Sequence, residues 1–174
     1  MKNKGNTVYV LCAVIPVLLI LFVIIFAFYQ RNIIADRYNS ALRMMKTGDY
    51  SSALELLNSL QDYKNSNELK EEVENELLYE EAYSLLGEQR YSEAVDLFSK
   101  IKDFKDSSDK IIEAKYNIAI QAYEKGDYNL AKRTFIETDG YLESEFYLAQ
   151  INIKTIEQSK RIVYEKSFNT DESQ

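Results

Sequence analysis

Residues 38–60 read YNSALRMMKTGDYSSALELLNSL, residues 79–101 read YEEAYSLLGEQRYSEAVDLFSKI, and residues 116–138 read YNIAIQAYEKGDYNLAKRTFIET. Set beneath one another they align without a gap. A tyrosine opens each unit (Tyr38, Tyr79, Tyr116), and an alanine follows three residues on (Ala41, Ala82, Ala119). A second alanine comes twelve residues after the first (Ala53, Ala94, Ala131), always preceded at three residues by another tyrosine (Tyr50, Tyr91, Tyr128). Four residues past the second alanine stands a large apolar side chain: Leu57, Phe98 or Phe135. Repetition of this kind marks a chain built from stacked copies of one supersecondary unit.

Each unit reads as a helix, a turn and a second helix. Leu78, Ala82, Leu85 and Leu86 recur at helical spacing in the middle copy. Gly48 and Gly126 fall where a first helix needs a left-handed cap, and Gln89 holds the corresponding place in the middle unit, with Gly87 two residues early. Alanines at fixed places let two helices approach to ~8–10 Å. An echo follows each unit: Asp62-Tyr63-Lys64-Asn65-Ser66, Asp103-Phe104-Lys105-Asp106-Ser107 and Gly140-Tyr141-Leu142-Glu143-Ser144. It should end the second helix and let Asn65 or Asp106 cap the next one, with Glu68 or Asp109 at the capping-box position.

With these residues in view, the units resemble tetratricopeptide repeats. Gly48-Asp49-Tyr50-Ser51-Ser52-Ala53 and Gly126-Asp127-Tyr128-Asn129-Leu130-Ala131 carry the family's turn pattern, while Gln89 replaces its glycine and the proline at the repeat end is missing. The resemblance implies an all-α helical-repeat solenoid of about three helix pairs over residues 30–168. Its repeats lie near 34–63, 66–104 and 107–141, and a closing helix covers 142–168. It further implies that first-helix residues line a groove for a protein or peptide. Tyr38, Tyr79 and Tyr116, with Tyr83 and Tyr123 a turn further on, would then form a binding column. The alternative is that these tyrosines pack between helices, as Tyr50, Tyr91 and Tyr128 should. In the closing helix, Phe146, Ala149, Ile153, Ile156 and Val163 share one side and should cover the last apolar face. Residues 169–174 are polar and expected to be disordered.

Outward from the repeats, residues 8–29 (VYVLCAVIPVLLILFVIIFAFY) are uncharged throughout. At ~1.5 Å per residue they reach roughly 33 Å, enough for a hydrocarbon core of about 30 Å. Their length and the absence of a small-residue cleavage site favour a retained single-pass anchor over a cleaved signal. No Gly or Pro lies between Tyr29 and Met45, so the anchor should run on into the first repeat helix. Lys2 and Lys4 precede the span, in a short basic tail over residues 1–7. Arg31, Arg37, Arg43 and Lys46 follow it, with Asp36 among them. The count of basic residues alone leans toward an internal domain. The layout of a short basic tail before a long apolar run is that of an uncleaved signal-anchor, and on it we expect the domain to be extracytoplasmic.

Composition removes several function classes. Beyond residue 29 there are nineteen Lys and Arg against twenty-eight Asp and Glu, a net charge of −9. That balance speaks against nucleic acid as a partner. There is no histidine, and the one cysteine, Cys12, lies in the apolar segment, so zinc and haem ligation lack their donors. Asp103, Asp106, Asp109 and Glu113 lack the spacing of a calcium loop. Glu71, Glu72, Glu74, Glu76, Glu80 and Glu81 read as a solvated helix face. We therefore expect no cofactor and no enzymatic activity. The expected role is a membrane-anchored scaffold for a protein or peptide partner, or else a structural spacer or self-associating module of a cell envelope. The Asn-, Lys-, Ile- and Tyr-rich composition resembles membrane-bound repeat proteins of Gram-positive bacteria.

Overall fold

The computed structural model describes residues 4–171, with side chains from 14 to 166. Among the described residues there is no strand; seven helices account for the architecture. They are α1 (Lys4–Thr47), α2 (Tyr50–Asn58), α3 (Ser66–Gly87), α4 (Tyr91–Lys100), α5 (Ser107–Glu124), α6 (Tyr128–Glu137) and α7 (Ser144–Asp171). The chain divides into two compact units at the Glu74–Asn75 junction, inside α3.

In the first unit α1 is one unbroken helix of 44 residues that includes Pro16. At ~1.5 Å per residue it is roughly 66 Å long. Every side chain from Val14 to Tyr29 is exposed, Phe22, Val23 and Ile25 by more than 60%. Among the described residues this is the one helix long and apolar enough to cross a membrane. Nine residues beyond Tyr29 the same helix changes character. Tyr38 and Ala41 are buried, and α1 packs on α2 through Ala41, Ala53 and Leu57, the two alanines having no exposed surface at all. Gly48 turns the chain at φ 78°, a conformation in which a Cβ costs about 1 kcal/mol or more. Asp49 then caps α2, its carboxylate accepting from the Ser52 amide at 3.2 Å.

The second unit repeats this construction twice. Ala82, Leu85, Ala94, Phe98 and Ile101 form one buried cluster. Ala119, Ala122, Ala131, Phe135 and Ile151 form the next. Tyr91 and Tyr128 are half-buried at the starts of α4 and α6, as Tyr50 is at the start of α2. Asp127 caps α6 by accepting from the Leu130 amide at 3.0 Å, and Gly126 turns at φ 79°. The middle turn keeps that geometry without the glycine. Gln89 sits at φ 60°, and the Arg90 amide donates to the Leu85 carbonyl at 2.9 Å as the Asp127 amide does to Ala122.

The closing helix docks by a different side from the one its apolar spacing suggests. Tyr147, Leu148 and Ile151 face the last cluster, with the Tyr147 ring stacked on Phe135 at 5.1 Å. Phe146, Ala149, Ile153, Ile156 and Val163 are exposed. The aliphatic count favoured the outer side, but a flat aromatic ring that can lie on Phe135 decides the docking. The helix persists to Asp171, past the expected start of the disordered tail at residue 169; residues 172–174 lie outside the described residues, as do residues 1–3 of the basic tail.

Relieving the strain at Gln89 should be measurable. Gln89→Gly is expected to raise stability by roughly 0.5–1 kcal/mol, the left-handed penalty less the entropy glycine adds to the unfolded chain. A urea melt that shows no gain, or a loss, would mean the glutamine side chain contributes contacts that offset its backbone cost.

Candidate interaction surface and the tyrosine turns

The three echo segments fold into one repeated turn. In each, the third residue is left-handed: Lys64 at φ 51°, Lys105 at φ 49° and Leu142 at φ 47°. The aromatic before it donates its amide to a buried residue three back, Tyr63 to Leu60, Phe104 to Ile101 and Tyr141 to Thr138, at 2.9–3.2 Å. Its carbonyl then accepts from the serine that starts the next helix, at 3.1 Å in all three. Ser66, Ser107 and Ser144 are almost wholly buried, so a small side chain is required there.

The first tyrosine of each unit closes on this turn. The Tyr38 hydroxyl donates to Asn65 Oδ1 at 2.6 Å, and the Tyr79 hydroxyl donates to Asp106 Oδ1 at the same distance. Both bonds join residues 27 apart in sequence. Tyr116 is equally placed relative to Glu143, whose backbone acts to lower its hydroxyl against the larger effect of burial. The rings meet the turn aromatics edge to face: Tyr38 on Tyr63 at 5.6 Å, Tyr79 on Phe104 at 6.2 Å, and Tyr116 on Tyr141 at 5.4 Å. Lys64 Nζ lies 4.3 Å from the Tyr38 ring centre and Lys105 Nζ 4.6 Å from that of Tyr79, each a cation over an aromatic face. Lys105 is also paired with Glu76.

This geometry corrects the expected role of Asp106. It stands at the N-cap of α5, yet its side chain makes no cap bond, because its carboxylate is engaged by Tyr79. The hydroxyl bond holds the Asp106 carboxyl below its ordinary value. The same bond, with burial, pushes the Tyr79 hydroxyl up to about 12. Burial raises Tyr116 too, with the neighbouring Tyr147 adding to it.

The candidate tyrosines thus separate by environment. Tyr38 is buried in the first unit. In the second, Tyr79 and Tyr116 are half-buried in the turns, and Tyr123 packs against Tyr128 and Tyr147 at 5.6 and 5.2 Å. Tyr83 alone of the five is open, 54% exposed, with its ring stacked beside Tyr79 at 6.2 Å and Lys110 Nζ 5.6 Å from its centre. Lys110 is itself paired with Glu113 at 2.8 Å. The surface around Tyr83 therefore offers an aromatic face, a cation and carboxylates close together.

A second concavity was not foreseen. A cleft of roughly 360 Å³ opens between the turn that starts α4 and the α5–α6 corner, lined by Arg90, Glu93, Ile118, Gln121, Lys125 and Leu130 among others. Arg90 is held across its mouth by Glu88 and Glu93. Its mixture of both charge signs with two aliphatic residues suits peptide groups better than a small apolar molecule. The signal for it, a charged triplet at Glu88, Arg90 and Glu93, is ordinary surface composition and carries no mark of concavity. Among the described residues no three acidic or thiol side chains are placed to hold a metal ion.

In comparisons with known proteins, no family model matches the chain and no curated protein matches it significantly.

The turn bond makes a prediction with a defined pH window. Asp106→Ala should cost about 0.5–1 kcal/mol, at the low end for a charged acceptor because Asp106 faces solvent. Asp106→Asn should cost less, since Asn65 does the same work in the first unit. Asp106 is lowered, so its contribution is complete above its ordinary 3.8 and is lost as pH falls through the depressed value. Tyr79 is raised, so its contribution is complete below 10.0 and is lost as pH rises through about 12. Urea midpoints between pH 2 and 12 should show both flanks, and Asp106→Asn should flatten the acid one. An unchanged acid flank in that variant would remove Asp106 from the account.

Proposed function

We propose that this chain is a single-pass membrane protein whose divergent tetratricopeptide-like domain binds a protein or peptide close to the bilayer, without catalysis. The observation that carries the reading is Tyr83. Packing engages the other candidate tyrosines, whereas this one presents half of its surface beside a lysine and carboxylates. A rigid aromatic with a polar tip contributes much contact area at little entropic cost, and side chains of this kind carry a large share of binding energy at interfaces.

The anchor supports the location. Exposed apolar side chains from Val14 to Tyr29 belong in lipid rather than water. The nine residues from Tyr29 to the buried Tyr38 lie on the same helix, so the first unit begins roughly 13 Å beyond the end of the span. The domain is read as extracytoplasmic, following the signal-anchor layout of Lys2 and Lys4 before the apolar run. A second reading, a self-associating module of the envelope, is favoured by the outward side chains of α7.

The test is a single exposed change. Tyr83→Ala should weaken capture of cross-linked partners at least tenfold, about 1.4 kcal/mol, while leaving the urea midpoint in place. If the variant captures the same proteins in the same yield, the Tyr83 surface is not the binding site.

A further inference from the structure

We propose that α7 pairs with the α7 of a second copy, antiparallel, along its outward face. The inference rests on the anchored reading given above.

The helix has two apolar sides. Tyr147, Leu148 and Ile151 face their own core. On the opposite side Phe146, Ala149, Ile153, Ile156, Lys160 and Val163 follow one another at alternating steps of three and four residues. The four large apolar members are each at least half exposed. From Ile156 to Lys166 every side chain is exposed. An apolar stripe left open to water on an otherwise polar helix calls for a cover.

The spacing identifies the cover. A three–four alternation is the period of a seam between two helices, narrower than the broad apolar face with which a helix lies on lipid. The stripe is complementary to itself in one direction. Run antiparallel, Phe146 meets the partner's Val163, Ala149 meets the partner's Lys160, and Ile153 meets the partner's Ile156. Two-fold symmetry makes each layer occur twice. The small Ala149 leaves room for the Lys160 stem, whose ammonium can reach the rim. Run parallel, each Lys160 would face its twin, two like charges in an apolar seam.

From Phe146 to Val163 the seam is only about 26 Å long. So short a contact buries less than the roughly 1,200 Å² usual for a stable soluble dimer. Confinement of both copies in one membrane supplies the effective concentration that the area lacks.

Two tagged full-length chains in one membrane, one carrying Ala149→Cys and the other Lys160→Cys, both with Cys12→Ser, test the pairing by oxidative cross-linking. The expected result is a disulfide-linked dimer in the mixture and almost none in either variant alone, because Ala149 and its twin would stand about 16 Å apart along the seam. Adding Ile156→Asp to both chains should abolish the cross-link without loss of helicity. Cross-linking of Ala149→Cys with itself would mean parallel pairing and overturn the proposal. No cross-link in any combination, or one that survives Ile156→Asp, would overturn it as well and leave the stripe to lipid or another protein. Recovery of both chains in the membrane fraction shows that the anchor reading holds, so the two failures are told apart.

Discussion

A hydroxyl–turn bond spanning 27 residues is the contact on which the repeat construction depends. It joins the first helix of a pair to the turn that follows the pair, so the first helix, the second helix and the entry to the next are tied at one point. One left-handed position is common to all three turns, Lys64, Lys105 or Leu142, and the two lysines lay their ammonium over the tyrosine ring. Where the lysine is replaced by Leu142 the ring is held instead by Phe135, Tyr141 and Tyr147. The same job is done by cation and carboxylate in one repeat and by an aromatic cluster in another. A repeat protein drifts in this way when the geometry of a turn is conserved and its chemistry is not.

The tie also determines what remains for function. A tyrosine whose hydroxyl proton is donated at 2.6 Å and whose ring is packed edge to face is committed to the fold through its one donor and much of its ring. In the binding role proposed above, recognition falls to side chains outside the tie, and Tyr83 is one turn along α3 from Tyr79, near enough to be held in place and far enough to stay open. The first helix shows a comparable division of labour along its length. From Val14 to Tyr29 it exposes an uncharged, apolar surface, while Tyr38 and Ala41 on the same helix are buried in the first unit. In the reading proposed here one rigid rod serves two solvents, and the first unit has little freedom to leave the bilayer surface.

Much of this was legible in the residues. The ungapped alignment of Ala41, Ala82 and Ala119, and of their second alanines, locates the helix contacts because only a small side chain survives at a close crossing. Gly48 and Gly126 locate two turns through their left-handed backbones. Gln89 marks the third only through its alignment with them, since a residue that merely tolerates a strained φ looks like any other. The recurring echo segments were visible, but their partner was not. Asp106 followed by an apolar helix is the pattern of a cap, and nothing local reveals that a tyrosine 27 residues earlier takes the carboxylate first. The constant separation of 27 was the available sign. The docking side of α7 was misread for a similar reason: counting aliphatic residues ranks Ile153, Ile156 and Val163 above Tyr147, whereas ring-on-ring packing with Phe135 ranks them the other way.

The central claim, a domain anchored in a bilayer by α1 and carried on its outer side, is tested most directly by one experiment. Intact cells producing the chain with a C-terminal tag are treated with protease and then fractionated, with lysed cells as control. The account predicts that the tag is lost from intact cells while an N-terminal fragment stays with the membranes. A full-length tagged chain protected until lysis would contradict the outward placement. A chain recovered in the soluble fraction would contradict the anchor itself.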